Sequence, residues 1–328
     1  MLEQRLDAAF RAGELPGLHS VLIIHRNRTL AECHFEDADE RWGQPLGVRA
    51  HGPDTLHDLR SVTKSIVGLL YGVALAEGLV PGLDEPVIDH FPDYDDLATD
   101  PVRRTILVRH VLSMQMGTEW NEDLPYTSPA NSEIAMEMAA DRYRFALDRP
   151  ITGTPGETWT YNGGATALIG RLIASGTGCS LDAYTAEKLF GPLDIEDFDW
   201  IKGSDGVASA ASGLRLSIRD LSRIGRLILQ GGRWNDKEVV PADWLEALST
   251  PRIDLATGLR YGYFWWLAGR GNPPHWIAGF GNGGQRLTVS KPNDLIVAVF
   301  AGNYNDPEAW RVPVKILTEF AFPATSRS

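Results

Sequence analysis

The sequence predicts an α/β (α+β) fold: a central antiparallel sheet flanked by helices, assembled from both ends of the chain around an inserted helical subdomain. Three observations predict it. Apolar, strand-like runs stand near the start, at His19 to His25 and Leu30 to Phe35. Between about Pro81 and Gly203 the pattern changes to short helical segments joined by loops rich in Asp, Pro and Gly. Strand-like runs then return and a helix near 307 to 320 closes the chain. The expected division is a sheet domain from 1–80 and 204–328 and a helical subdomain from 81–203, together forming one unit.

In order, Leu2, Leu6, Ala9 and Phe10 fall on one face among charged neighbours and predict an amphipathic surface helix. The two apolar runs that follow flank Arg26-Asn27-Arg28 and read as a hairpin. From Ser61 to Leu79 the period is helical, with Ile66, Leu69, Leu70 and Val73 on one stripe and Gly78 as a stop. Helical segments are expected at 105–114, 132–140, 165–174 and 182–189. Ser217 opens another helix with Asp220 placed as in a capping box, ended by Gly231-Gly232. Strands follow at Tyr261 to Leu267, Trp276 to Phe280, Gln285 to Ser290 and Leu295 to Gly302; a Pro292-Asn293-Asp294 turn joins the last two.

A chain of 328 residues with 43% hydrophobic content is long enough to bury a sizeable core. Its net charge of -12, with no offsetting Lys/Arg cluster, disfavours nucleic acid and anionic membranes as partners and favours a small-molecule substrate. Cys33 and Cys179 are too few for a disulfide scaffold and lack zinc-site spacing, so both are expected to be buried small apolar residues. No signal-peptide h-region and no membrane-length apolar stretch is present, which predicts a cytoplasmic protein. No oligomeric state is read from the sequence.

Ser61-Val62-Thr63-Lys64 is an S-x-x-K tetrad at a predicted helix start. Positions i and i+3 share a helix face, so the lysine nitrogen can reach the serine hydroxyl, the spacing of a nucleophile and its base. The tetrad alone is a weak signal, since a solvated helical lysine gives the same letters. Placement strengthens it: a lysine in the first turn of an apolar helix opposes the helix dipole and requires a buried partner. As a base at neutral pH such a lysine must fall from about 10.4 to about 7, at a cost of about 4 kcal/mol. Thr154 to Gly164 is a turn, a short extended run and a glycine pair before an apolar helix, with Tyr161 at its apex. A phenol near a cation has its pKa lowered, and Tyr161 is expected to shuttle a proton; the alternative is a packed turn aromatic.

Gly279-Phe280-Gly281-Asn282-Gly283-Gly284 matches a dinucleotide-binding fingerprint by letter. That reading fails, because Gln285 to Ser290 continues as a strand where the fingerprint needs a helix. Glycines here suit close substrate approach to a strand edge, with backbone N–H groups free for an oxyanion. There is no G-x-S-x-G elbow, H-E-x-x-H or Walker lysine, which leaves Ser61 as the candidate nucleophile. The acidic runs Asp93 to Asp100 and Asp194 to Asp199 lack EF-hand spacing and read as solvated loops. No metal and no cofactor is assigned.

With these elements in order, the chain resembles the penicillin-recognising serine hydrolases: class C β-lactamases, DD-peptidases, and esterases and amidases of the β-lactamase/transpeptidase-like fold. Within them the nearest branch is that of 6-aminohexanoate-dimer hydrolase, judged by His110-Val111-Leu112-Ser113-Met114, Tyr161-Asn162-Gly163-Gly164, Gly191-Pro192-Leu193 and Gly283-Gly284-Gln285. The resemblance implies Ser61 as nucleophile, Lys64 as base, Tyr161 as the second-motif tyrosine, and an oxyanion hole from the backbone N–H groups of Ser61 and Gln285. It further implies substrate contacts at Asn282, Gly283, Gly284, Tyr126 and Trp120, with Glu122 beside them. Two departures matter: Gly163 replaces the Asn of the family's Y-x-N, and Asn282-Gly283-Gly284 stands where K-T-G or H-x-G is expected. Both weaken β-lactam hydrolysis. The expected function is hydrolysis of a small ester or amide, ahead of a lactamase or D-amino-acid peptidase, and ahead of a non-catalytic ligand-binding homologue.

Overall fold

The structure is a computed structural model that describes residues 1–325. Helix α1 (Leu2–Arg11) precedes strands β1 (Leu18–His25), β2 (Arg28–His34), β3 (Glu36–Arg41), β4 (Gln44–Ala50) and β5 (His57–Asp58). Helix α2 (Val62–Ala76) follows, then α3 (Asp95–Ala98), α4 (Val108–Leu112), α5 (Ser132–Met138), α6 (Arg142–Leu147), α7 (Gly163–Thr177) and α8 (Leu181–Thr185). Short strands β6 (Asp199–Trp200) and β7 (Leu214–Leu216) lead to α9 (Ile218–Leu229), β8 (Arg233–Trp234), β9 (Lys237–Glu238) and α10 (Ala242–Ser249). The chain ends with β10 (Ile253–Asp254), β11 (Arg260–Tyr261), β12 (Trp266–Ala268), β13 (Trp276–Gly281), β14 (Gln285–Ser290), β15 (Leu295–Ala301) and a helical run from Arg311 to Thr325.

Eight strands form one antiparallel sheet in the order β10-β11-β12-β13-β14-β15-β1-β2. The first strand pairs with the last, Val21 opposite Val299 and Ile23 opposite Val297, so the sheet closes only when both chain ends are in place. Alternation sorts its two faces. Leu22, Ile24, Ile296 and Ala298 meet α2, α9 and the helices of the middle segment, while Val21, Ile23, Val297 and Val299 meet α1 and the C-terminal helix. Helix α2 is buried from Val62 to Ala74 and runs through the larger core. Helix α9 is capped by Ser217, whose hydroxyl accepts from the Asp220 amide, and turns Leu221, Ile224, Leu227 and Ile228 inward.

Several expectations are corrected here. Tyr261 to Leu267 is two strands joined by a tight turn, with Phe264 at φ 57 and the Gly262 amide bonded to the Trp265 carbonyl. Residues 36–50 form a polar hairpin, β3 with β4, that the sequence did not signal because few of its side chains are buried. The run Asp93 to Asp100 holds a turn that buries Tyr94 and a short helix that buries Leu97 rather than a bare loop. Cys33 and Cys179 are free and only half-buried; burial nevertheless pushes the Cys33 thiol up to about 11. No described helix is long and apolar enough to cross a membrane.

Candidate active site

Strand β5 pairs with β7, and the Leu59 amide bonds the Leu214 carbonyl, which delivers the chain into α2 at Ser61. Ser61 is the N-cap residue of α2, in the turn where helix amides lack intrahelical acceptors. Strand β13 presses against the same spot. A Cβ on Gly281 would lie 2.4 Å from the Leu59 carbonyl oxygen, so only glycine permits this approach. Gln285 opens β14 beside it, its side chain pinned on Ala301 through a bond to the carbonyl and one from the amide.

Lys64, one turn into α2 and 1% exposed, donates to Ser61 Oγ at 2.9 Å, to Glu133 Oε2 at 2.9 Å and to the Ala211 carbonyl at 3.0 Å. Its three protons are therefore all satisfied. Tyr161 brings its hydroxyl toward Ser61 and lays its ring 5.1 Å from the lysine nitrogen. Ser61 and Lys64 thus lie together on one helix face, and Tyr161 reaches them from the turn before α7.

Their protonation does not follow the sequence expectation. Burial alone would lower the Lys64 pKa, but the Glu133 carboxylate, with Tyr161 and Glu122 behind it, outweighs burial and moves it above its ordinary value. Tyr161 is pushed up to about 12 by burial, which the nearby ammonium only partly offsets. Lys64 is therefore a cation and Tyr161 a neutral phenol in the resting site. The buried partner that the first-turn lysine requires is Glu133.

Glu133 carries no signal in the sequence, and Glu122, expected with Trp120 and Tyr126 to line the pocket, sits deeper, among the catalytic candidates. Asn131 caps α5 by accepting from the Glu133 and Ile134 amides, which fixes Glu133 at the helix start, 1% exposed. Glu122 accepts from Trp120 Nε1 at 2.6 Å, Tyr126 Oη at 2.9 Å and the Gly163 amide at 2.5 Å. Burial raises its pKa to about 7, against the pull of Lys64 and with repulsion from Glu133. Trp120, 7% exposed, and Tyr126 thus orient a carboxylate, a contact distinct from the substrate-lining role expected of them. Gly163 now has a reason: a Cβ there would lie 2.5 Å from Glu133 Oε2 and 3.1 Å from Glu122 Oε1. The carboxylates fill the space of an asparagine side chain at this position.

Asn282 exchanges hydrogen bonds with Asn305, which also accepts from the Tyr126 amide, tying the 120–131 loop to the strand end. Gly283 and Gly284, at φ 91 and 97, turn β13 into β14, so the glycine-rich run is a hairpin connection. Beyond Tyr161 stands an aromatic wall that sequence periodicity did not reveal: Trp266 lies 5.7 Å from Tyr161, 5.9 Å from Trp159 and 5.1 Å from a stacked Phe280.

The eight-stranded antiparallel sheet, the helix through its core and the serine at that helix's start define the β-lactamase/transpeptidase-like fold. The chain belongs to the beta-lactamase family, whose model matches residues 2–312. It is 27% identical over 286 residues to 6-aminohexanoate-dimer hydrolase from Paenarthrobacter ureafaciens, covering 78% of this chain and 68% of that one. Among solved structures, a putative 6-aminohexanoate-dimer hydrolase from Bacillus anthracis superposes with TM-score 0.78 at 16% identity, over 97% of this chain and 82% of the other. A family VIII carboxylesterase gives TM-score 0.70 at 16% identity over 98% and 96% of the two chains.

Proposed function

We propose that this protein is a serine hydrolase that cleaves a small ester or amide through an acyl-enzyme on Ser61. The observation that carries the reading is the convergence of Lys64 Nζ, at 2.9 Å, and the Tyr161 hydroxyl on one serine oxygen at a helix N-terminus. Ser61 Oγ attacks the substrate carbonyl while its proton passes to the Lys64–Tyr161 pair. The C–O or C–N bond then breaks and the leaving group takes a proton from the same pair, with Tyr161 as the shuttle. Water repeats the sequence on the acyl-enzyme and releases the acid.

Both members of the pair hold their protons at neutral pH, so the working base is a minority form of the coupled pair, reached when one proton is lost. Backbone N–H groups of Ser61 and Gln285 are the proposed oxyanion donors, favoured by the helix N-terminus and by the close approach of β13. Asn282, Gly283 and Gly284 line the proposed substrate edge. The wall of Trp159, Trp266 and Phe280 suits an apolar group on the substrate.

Wild type and Ser61→Ala, treated with a fluorophosphonate probe and weighed intact, test the nucleophile without knowledge of the substrate. A single adduct on wild type alone is expected, followed by turnover of short esters and amides and weak turnover of nitrocefin. An adduct of equal yield on Ser61→Ala refutes the assignment; no adduct on either points to the ligand-binding homologue.

A further inference from the structure

One buried cluster takes no part in the proposed chemistry. His19 on β1, Asp39 on β3, His51 just past β4 and His57 on β5 are all buried, and one ligand atom from each lies within 4.8 Å of the other three. They come from four separate stretches between positions 19 and 57, so no sequence spacing announces them.

Two backbone carbonyls fix how the first pair is protonated. His19 Nε2 donates to the Ala38 carbonyl at 3.0 Å and His57 Nδ1 to the Asp58 carbonyl at 3.0 Å. A carbonyl only accepts, so those nitrogens carry the hydrogens. The remaining nitrogens, His19 Nδ1 and His57 Nε2, then point lone pairs at one another across 2.8 Å. Asp39 Oδ1 lies 3.8 Å from the first and 3.6 Å from the second. Asp39 Oδ2 and His51 Nε2 are buried without a hydrogen-bond partner. Opposed lone pairs and an orphaned buried carboxylate oxygen are repulsive among themselves; one cation turns them all into ligands.

We propose that His19, Asp39, His51 and His57 form a structural divalent-metal site, with Zn²⁺ as its cation. Three imidazoles and one carboxylate are a donor set that zinc takes tetrahedrally. With zinc–ligand bonds of about 2.0–2.2 Å, tetrahedral donors stand roughly 3.4 Å apart; the separations among His19 Nδ1, His57 Nε2 and Asp39 Oδ1, 2.8, 3.6 and 3.8 Å, bracket that value, and a His51 nitrogen lies within 4.8 Å of the others. The ring N–H bonds to Ala38 and Asp58 are the outer contacts that hold ligating histidines in place. Four protein donors leave no open position, which makes the site structural.

Its place gives it a task. His57 stands four residues before Ser61, and the hairpin that supplies Asp39 also binds that stretch through Glu40 with Arg60 and the Trp42 amide with Asp58 Oδ2. The metal fastens the polar β3–β4 hairpin to β1 and to the segment that enters α2.

The test uses the full chain. After zinc-supplemented expression, metal content is measured by mass spectrometry; the protein is then stripped with a chelator and titrated with Zn²⁺ and with Co²⁺. Support is one equivalent of zinc, a higher unfolding temperature with zinc than without, and the intense visible absorption of four-coordinate Co²⁺. His51→Gln and Asp39→Asn, checked for folding by circular dichroism, should each weaken Zn²⁺ at least about ten-fold. The proposal is overturned if wild type takes up no zinc and its unfolding temperature does not move, which would leave a shared proton between His19 and His57. Zinc uptake undiminished in both variants overturns it equally, by placing the ion elsewhere. None of these readings depends on Ser61 being a nucleophile.

Discussion

Two buried clusters of titratable groups flank Ser61 along the chain, one drawn from residues before it and one from residues after it, and they are built on opposite principles. On the helix side, Lys64 spends its three protons on Ser61, Glu133 and the Ala211 carbonyl, and Glu122 is met by three donors. On the strand side, His19 and His57 face each other with lone pairs and Asp39 Oδ2 meets nothing. The first cluster balances its own charge and keeps a proton in reserve. The second balances only when something cationic arrives. Burial penalises both alike, so hydrogen-bond saturation decides which group of buried residues is complete in itself and which is half of a complex.

The comparison can be broken most violently at Lys64. In the Lys64→Ala protein kcat/KM should fall by about ten-thousand-fold, as removal of one member of a cooperating set does, and thermal denaturation should show Glu133 left unpaired. Glu133→Ala should cost about 3–5 kcal/mol in stability, because it strands a buried ammonium; chemical denaturation reads this directly. Glu133→Gln keeps an acceptor but removes the charge that holds the proton on Lys64. The Lys64 pKa then falls, the base form is reached sooner, and the acid limb of the kcat/KM profile should move to lower pH. An unmoved limb would separate Lys64 from the base.

Smaller effects sharpen the same picture. Gly163→Ala introduces a Cβ 2.5 Å from Glu133 Oε2, and should cost about 1–3 kcal/mol of stability as overpacking does, with kcat lowered more than KM is raised. Glu122 has a folded pKa of about 7 against 4.5 for the free group, so the native state binds its proton more tightly and stability is lost as pH rises through that window. Glu122→Gln removes this loss. Its stability relative to wild type should improve by about 1–3 kcal/mol between pH 4.5 and 8, visible as a flatter curve of unfolding temperature against pH.

How much of this was legible in the sequence follows from how far apart the partners lie. Ser61 and Lys64 share a helix face, and the period of α2 and of α9 is written in their apolar residues, so spacing alone placed them. Glu122 reaches the site from the 118–131 loop and Glu133 from the first turn of α5 that this loop leads into, held by exchanges such as the Asn121 amide with Ser132 Oγ and the Ser132 amide with the Asn121 carbonyl. Nothing periodic marks such a loop. The β3–β4 hairpin escaped because a polar ribbon has no alternation to read, and the turn inside Tyr261 to Leu267 because Phe264 sits at positive φ without glycine or asparagine. The direction of the Lys64 pKa was misjudged for the same reason as the loop: burial was visible, the counter-charge was not.

The shared space at position 163 has a consequence for how such a site can arise. A chain carrying the family's asparagine there has no room for Glu133 against Lys64, and a chain with Gly163 but no acid leaves a buried ammonium unanswered. Neither single replacement is a comfortable intermediate. Residues 133 and 163 are therefore coupled, and a change at one is felt at the other through the space they share.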